Sequence, residues 1–151
     1  MYKRQSQVIA NLGMAGCLAG GTSSAWKVAC IAALAEATAD TLSSEMGQAL
    51  GGPTFLLTSW RRVPAGTDGG ISLPGTSFGL AGATLVAAIA CLCGYLNPAQ
   101  ALLACLAGIL GLLFDSFLGA TIEQRGWLGN DLVNFTSTLF SAAMAFAFAC
   151  L

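Results

Sequence analysis

The chain alternates between long apolar runs and short polar breaks, and the breaks set its organisation. Val8 to Gly20 is a run of small apolar residues about 20 Å long at ~1.5 Å per residue, too short for a hydrocarbon core of about 30 Å. Ala25 to Leu50 is alanine-rich and predicts one long helix, although it carries Lys27, Glu36, Asp40 and Glu45; Gly51, Gly52 and Pro53 stop it. The longest break follows, Gly51 to Gly75, where Arg61, Arg62, Pro64, Asp68, Pro74 and interspersed glycines predict an ordered loop with extended pieces. Thr76 to Leu96 is an uncharged span, Asn97-Pro98 a tight turn, and Ala99 to about Thr121 a second span interrupted only by Asp115, so a helical hairpin is expected. Glu123 to Asn130 is a short polar connection, and Asp131 to Leu151 is a last apolar run.

Composition turns this pattern into a fold class. Of 151 residues 56% are hydrophobic and only 9% charged, against about 25% charged in soluble domains; the surface must therefore face lipid. The expectation is an all-α polytopic integral membrane helix bundle of about five membrane helices. The pairs Gly16/Gly20, Gly75/Gly79 and Ala104/Gly108 place small residues on single helical faces, as close packing in a membrane requires. A net charge of -1 without a basic run excludes nucleic acid as a partner, and the absence of histidine removes His-dependent triads and the usual zinc sites. The six cysteines all lie in apolar stretches and read as small apolar side chains. Met1 to Gln5 resembles the translation of a transposon adapter, so Lys3 and Arg4 carry no weight, and residues 6–151 read as a partial membrane domain whose native N-terminus lies upstream.

Charge also sets orientation. The Asn97 turn has no positive charge, whereas the breaks on either side hold Arg61, Arg62 and Arg125, so loops 51–75 and 122–130 are expected in the cytoplasm. Counted along the helices, Asp40 lies about 20 Å and Glu45 about 27 Å from Lys27, and Asp115 about 25 Å from Pro98. All three belong near the inner interface.

Three constellations can carry chemistry. In ATADTLSSEMG (Ala37 to Gly47), Asp40 and Ser44 are four residues apart, as are Glu36 and Asp40 and, on an adjoining stripe, Thr41 and Glu45. An acidic residue in a membrane helix costs about 2.5–3.5 kcal/mol on insertion scales, so it faces a cavity or a partner; the bland alternative is a solvated helix end or an ion pair with Arg61 or Arg125. DSFLGATIEQ (Asp115 to Gln124) again opens with Asp and a hydroxyl, Ser116. Two carboxylates from separate helices suit Mg2+ shared with substrate phosphates. In RRVPAGTDGGISLPG (Arg61 to Gly75), Gly66, Gly69 and Gly70, with Thr67 and Asp68 between them, can turn backbone N–H groups towards an anion, and Arg61 or Arg62 can supply forked donors. The alternative is that these arginines merely anchor to lipid headgroups.

With QVIANLG (Gln7 to Gly13) and NDLVNFTST (Asn130 to Thr138), these blocks in this order resemble the transmembrane protein 19 family, which includes the phytyl-phosphate kinases and is also known as domain-of-unknown-function family 92. One departure is that Leu12 stands between Asn11 and Gly13, where the family commonly has glycine directly after the asparagine. The resemblance implies a membrane enzyme that phosphorylates a prenyl monophosphate from CTP, ATP or another nucleoside triphosphate. On that reading Asp40, Asp115 and Glu45 are the catalytic and Mg2+-binding carboxylates, and Arg61, Arg62 and the Gly66 to Gly70 backbone hold phosphate. Asn11, Ser44, Ser116, Gln124, Asn130, Asp131 and Asn134 form the polar rim. In-line phosphoryl transfer rests on positioning and charge neutralisation, so the missing histidine is no obstacle. A transporter or ion-translocating bundle, or a cytidylyltransferase forming a CDP-lipid, are the alternatives; the first needs polar residues connected across the bilayer.

Overall fold

A computed structural model of the chain describes residues 12–151. Residues 12–18 are helical and precede α1 (Ser24–Leu50), then β1 (Thr54–Leu56), β2 (Arg62–Val63), β3 (Gly70–Ser72), α2 (Leu73–Leu92), α3 (Pro98–Leu118), a π-turn (Gly119–Glu123) and α4 (Asn130–Ala149). Three helical segments, Leu73–Leu92, Pro98–Glu123 and Asn130–Ala149, are long and apolar enough to cross a membrane. That narrows the expected five: α1 is long enough, at about 40 Å for 27 residues, but too polar to meet the same criterion.

Its place in the bundle explains how it is tolerated. α2, α3 and α4 all pack against α1, and from Val28 to Ala39 all but Leu34 and Thr38 are buried apart from the half-buried start of its polar end at Asp40. A helix buried on every side needs small residues on every side, which is what the alanines supply. The neighbours answer with glycine. A Cβ on Gly79 would stand 2.8 Å from Leu112 Cδ2 and 3.1 Å from the Ala39 carbonyl, and one on Gly108 2.8 Å from Ala35 Cβ. The Gly75/Gly79 and Ala104/Gly108 faces are thus contact faces, whereas a Cβ on Gly16 or Gly20 would meet nothing within 4 Å.

Local signals fix the ends. The Ser72 hydroxyl accepts from Gly75 N at 3.2 Å to start α2 with Pro74 in its first turn. Asn97 and Gln100 form a reciprocal capping box at the start of α3. The long break contains a three-stranded antiparallel sheet in the order β2-β1-β3, with Phe55 opposite both Arg62 and Ile71. Because β3 runs straight into α2, the sheet is seated on one end of the bundle. The half of the bundle towards the Asn97 turn is filled by Val28, Ile31, Ala32, Ala87, Ala90, Leu96, Ala101, Ala104, Ala107 and Ala145.

Candidate functional site

At the sheet end, the polar part of α1, the segment between β2 and β3, the α3/π-turn and the first turns of α4 enclose an open cavity of about 750 Å³. Of the residues singled out from sequence, Asp40, Ser44 and Glu45, Gly66 to Gly70 including Thr67, Asp68 and Gly69, Asp115 and Ser116, and Asn130 and Asn134 all line it. Asp40 and Asp115 are half-buried, while Glu45 and Asp68 sit at the exposed mouth. Asp115 is held: its Oδ2 accepts from the Ser137 hydroxyl at 3.1 Å.

Four of the expected site residues are not brought to the cavity. Arg61 and Arg62 are exposed and do not line the cavity. They sit at the tight β1–β2 connection, closed by Leu56 N to Arg61 O and Trp60 N to Leu56 O, and β2 is an edge strand of the sheet. Gln124 is not a lining residue; its Nε2 donates to the Asp68 carbonyl at 2.9 Å and ties the end of the π-turn to the glycine loop. Asp131 lies in the first turn of α4 outside the lining, as an acidic residue at a helix N-terminus does for local reasons. Asn11 lies outside the described residues. Arg125, offered above as an ion-pair partner, lies over the Trp127 ring at 5.6 Å.

Sequence reasoning missed Glu123, which lines the cavity. Eight residues of α-helix turn through about 800°, leaving Glu123 roughly 80° from Asp115; the one extra residue in a π-turn subtracts about 100° and brings the two to within ~20°. The π-turn is marked by Gln124 N donating to Gly119 O at 3.3 Å. It is pressed against the glycine loop, since a Cβ on Gly119 would lie 2.6 Å from Gly69 N. No periodicity signals such an insertion. Glu36, one turn deeper than Asp40, was also undervalued: it is 1% exposed, and among the described residues its Oε1 has no hydrogen-bond partner.

Among the described residues, every charged one lining the cavity is acidic: Asp40, Glu45, Asp68, Asp115 and Glu123. Glu123 lies within electrostatic range of Asp68 and Asp115, and Asp40 within range of Glu36, Asp115 and Glu123. Such a cavity attracts cations, or anions that bring cations with them. Among the described residues no group of three or more His, Cys, Asp or Glu side chains is set to hold a metal ion. Two carboxylates from different helices, Asp40 and Asp115, are of the donor type Mg2+ takes, since it is commonly bound through one or two carboxylates together with substrate phosphates.

The family model for the integral membrane protein family DUF92 matches residues 2–142. The chain belongs to this family. Its relatives include the chloroplastic VTE6 protein of Arabidopsis thaliana, 37% identical over 109 residues that make up 70% of this chain and 33% of that protein. An uncharacterised membrane protein of Synechocystis sp. is 34% identical over 76% of this chain and 45% of its own, and one of Methanocaldococcus jannaschii is 37% identical over 80% and 50%. The chain thus spans a third to a half of the length of these relatives. No solved structure matches it.

Proposed function

We propose that this member of the DUF92 family carries the reaction site of a membrane-bound prenyl-phosphate kinase, which transfers phosphate from CTP or another nucleoside triphosphate to a lipid monophosphate. The observation that carries the reading is the one-ended cavity, in which acidic and hydroxyl groups from α1 and the α3/π-turn, with amides from α4, face a glycine loop. Leu42 and Leu112 give the same cavity an apolar wall beside Asp40 and Asp115. A prenyl chain can remain among the helices there while its phosphate sits at the polar end, and a water-soluble donor can enter from the mouth. The positive-inside rule makes that mouth cytoplasmic, because the Arg61/Arg62 and Arg125 connections lie at the same end.

In this reading Asp40 and Asp115 would hold Mg2+, which when bound supplies charge neutralisation for the phosphates. The backbone of Gly66 to Gly70 receives phosphate oxygens. Its turns are fixed by Gly70 N donating to Thr67 O at 2.8 Å and the Thr67 hydroxyl donating to Pro64 O at 2.7 Å. Among the described residues no arginine lines the cavity, so the reaction should depend strongly on a divalent cation. Asn130 and Asn134 complete the rim opposite α1.

The test uses a full-length family member carrying these residues, in membranes, with radiolabelled CTP and ATP offered to phytyl and geranylgeranyl phosphates. A prenyl diphosphate product supports the kinase, and a CDP-lipid would assign a cytidylyltransferase instead. Asp40→Asn and Asp115→Asn, made separately, should each abolish turnover while leaving membrane insertion intact; turnover retained in both removes them from the metal role.

A further inference from the structure

Glu36 is not used by the reading above, yet it is the least expected residue in the bundle. A carboxyl taken wholly out of water inside a membrane protein is expensive and marks a functional site with a nearby partner. Its surroundings are arranged for it. Gly111 of α3 faces it so closely that a Cβ there would lie 2.5 Å from Glu36 Cγ and 3.0 Å from Ser141 Cβ. One turn deeper, the Ser141 hydroxyl donates to the Ala32 carbonyl at 3.0 Å and pins α4 to α1.

Each of the three helices contributes residues four apart to this seam: Glu36 and Asp40 on α1, Gly111 and Asp115 on α3, Ser137 and Ser141 on α4. Ser137 stands between the two acidic layers, fully buried: its hydroxyl donates to Asp115 Oδ2 at 3.1 Å, and it also acts electrostatically on the Glu36 carboxyl. A hydroxyl has one hydrogen. Ser137 can give it to Asp115 Oδ2 at 3.1 Å or to the Asn134 carbonyl at 2.9 Å, and the latter already accepts from Thr138 at 3.0 Å. When the hydrogen goes to Asp115, Ser137 has only lone pairs left to offer, so a protonated Glu36 carboxyl, donating to Ser137, selects the arrangement that restrains Asp115.

We propose that Glu36 is a positioning residue of the cavity: lying behind it, Glu36 orients the Ser137 hydroxyl, which holds Asp115 in place for its ligand. The proposal rests on the reading of Asp115 as a metal and phosphate side chain, and predicts that polar character at position 36 matters more than charge. Glu36→Gln keeps a donor in reach of Ser137; Glu36→Leu fills the same space without one.

The experiment measures Mn2+ affinity by electron paramagnetic resonance on a full-length family member in lipid nanodiscs, without nucleotide or prenyl phosphate, alongside thermal melting and phosphate transfer. Glu36→Leu and Ser137→Ala should each weaken Mn2+ binding about tenfold, the scale on which residues that orient metal ligands act. The double variant should be no weaker than the weaker single one, and Glu36→Gln should stay within about threefold of the unmodified protein. Unchanged affinity in Glu36→Leu, or effects that multiply in the double variant, overturns the proposal. Should Glu36→Leu fail to insert, Ser137→Ala decides alone, because it removes only the hydroxyl: unchanged affinity there is equally fatal. Mn2+ binding by the unmodified protein without phosphate transfer would refute the kinase and leave this proposal standing on its own data; no Mn2+ binding at all would remove Asp115's role and this proposal with it.

Discussion

Gly69→Ala tests the join between the glycine loop and the π-turn, which is the contact that closes the cavity. Gly69 has φ +72°, and a Cβ there would stand 2.1 Å from Ala120 N and 2.5 Å from Ala120 Cα. The left-handed backbone alone costs an alanine roughly 1–2 kcal/mol. Forcing a methyl group against backbone that cannot rotate away adds about 1–3 kcal/mol, so the substitution should destabilise by about 2–5 kcal/mol or separate loop from turn. Gly126→Ala is the control, since φ there is +70° and a Cβ would meet nothing within 4 Å; only the backbone contribution of about 1–2 kcal/mol remains. Thermal unfolding in detergent, together with proteolysis of the 64–70 segment, reads both variants. Gly69→Ala should melt well below Gly126→Ala, cut faster in that segment and lose turnover. Equal melting and equal cleavage in the two would mean that the loop does not rest on the π-turn.

The remaining expectations separate the site from its scaffold. Arg61→Ala with Arg62→Ala should leave turnover within about threefold at saturating metal, because neither lines the cavity, and any loss should track the anionic lipid content of the vesicles; loss in neutral vesicles would return them to the site. Asn97→Ala removes the capping box at the far end and should lower stability by about 1 kcal/mol in a melting experiment without altering turnover. Ser141→Ala loses one interhelical hydrogen bond to a carbonyl within α1, so a loss of about 1 kcal/mol is expected, read by the same melting assay.

Much of this fold is legible because strong local signals bound it. Gly51, Gly52 and Pro53 end α1 where sequence places its end, and the helix begins at Ser24, one residue before the predicted Ala25. Asn97-Pro98 likewise marks the hairpin through a cap and a proline, both local devices. The three strands are two or three residues long, and β1 pairs not only with β2 but also with β3 beyond it, so the pattern reveals extended pieces but not the sheet. The register then decides what composition could not: Arg61 and Arg62 are carried outside while Gly66 to Gly70 turn inwards. Glu123 was hidden by an inserted residue that shifts helical phase, and the burial of Glu36 depends on Gly108 and Gly111 of another helix.

α1 joins two halves that the rest of the bundle treats oppositely. From Val28 to Ala35 it is walled largely by small apolar residues of the neighbouring helices, with Ser141 donating to the Ala32 carbonyl and the Cys30 thiol to the Ala15 carbonyl. From Asp40 to Gln48 it faces a cavity with a polar mouth. Among the described residues, packed methyl groups fill the bundle past Ala32. A reaction between a lipid headgroup and a soluble donor needs polar groups at one end alone, with a dry bundle to hold their supports rigid. Glu36 and Ser137 lie at that boundary, which is where a rigid support for Asp115 does the most.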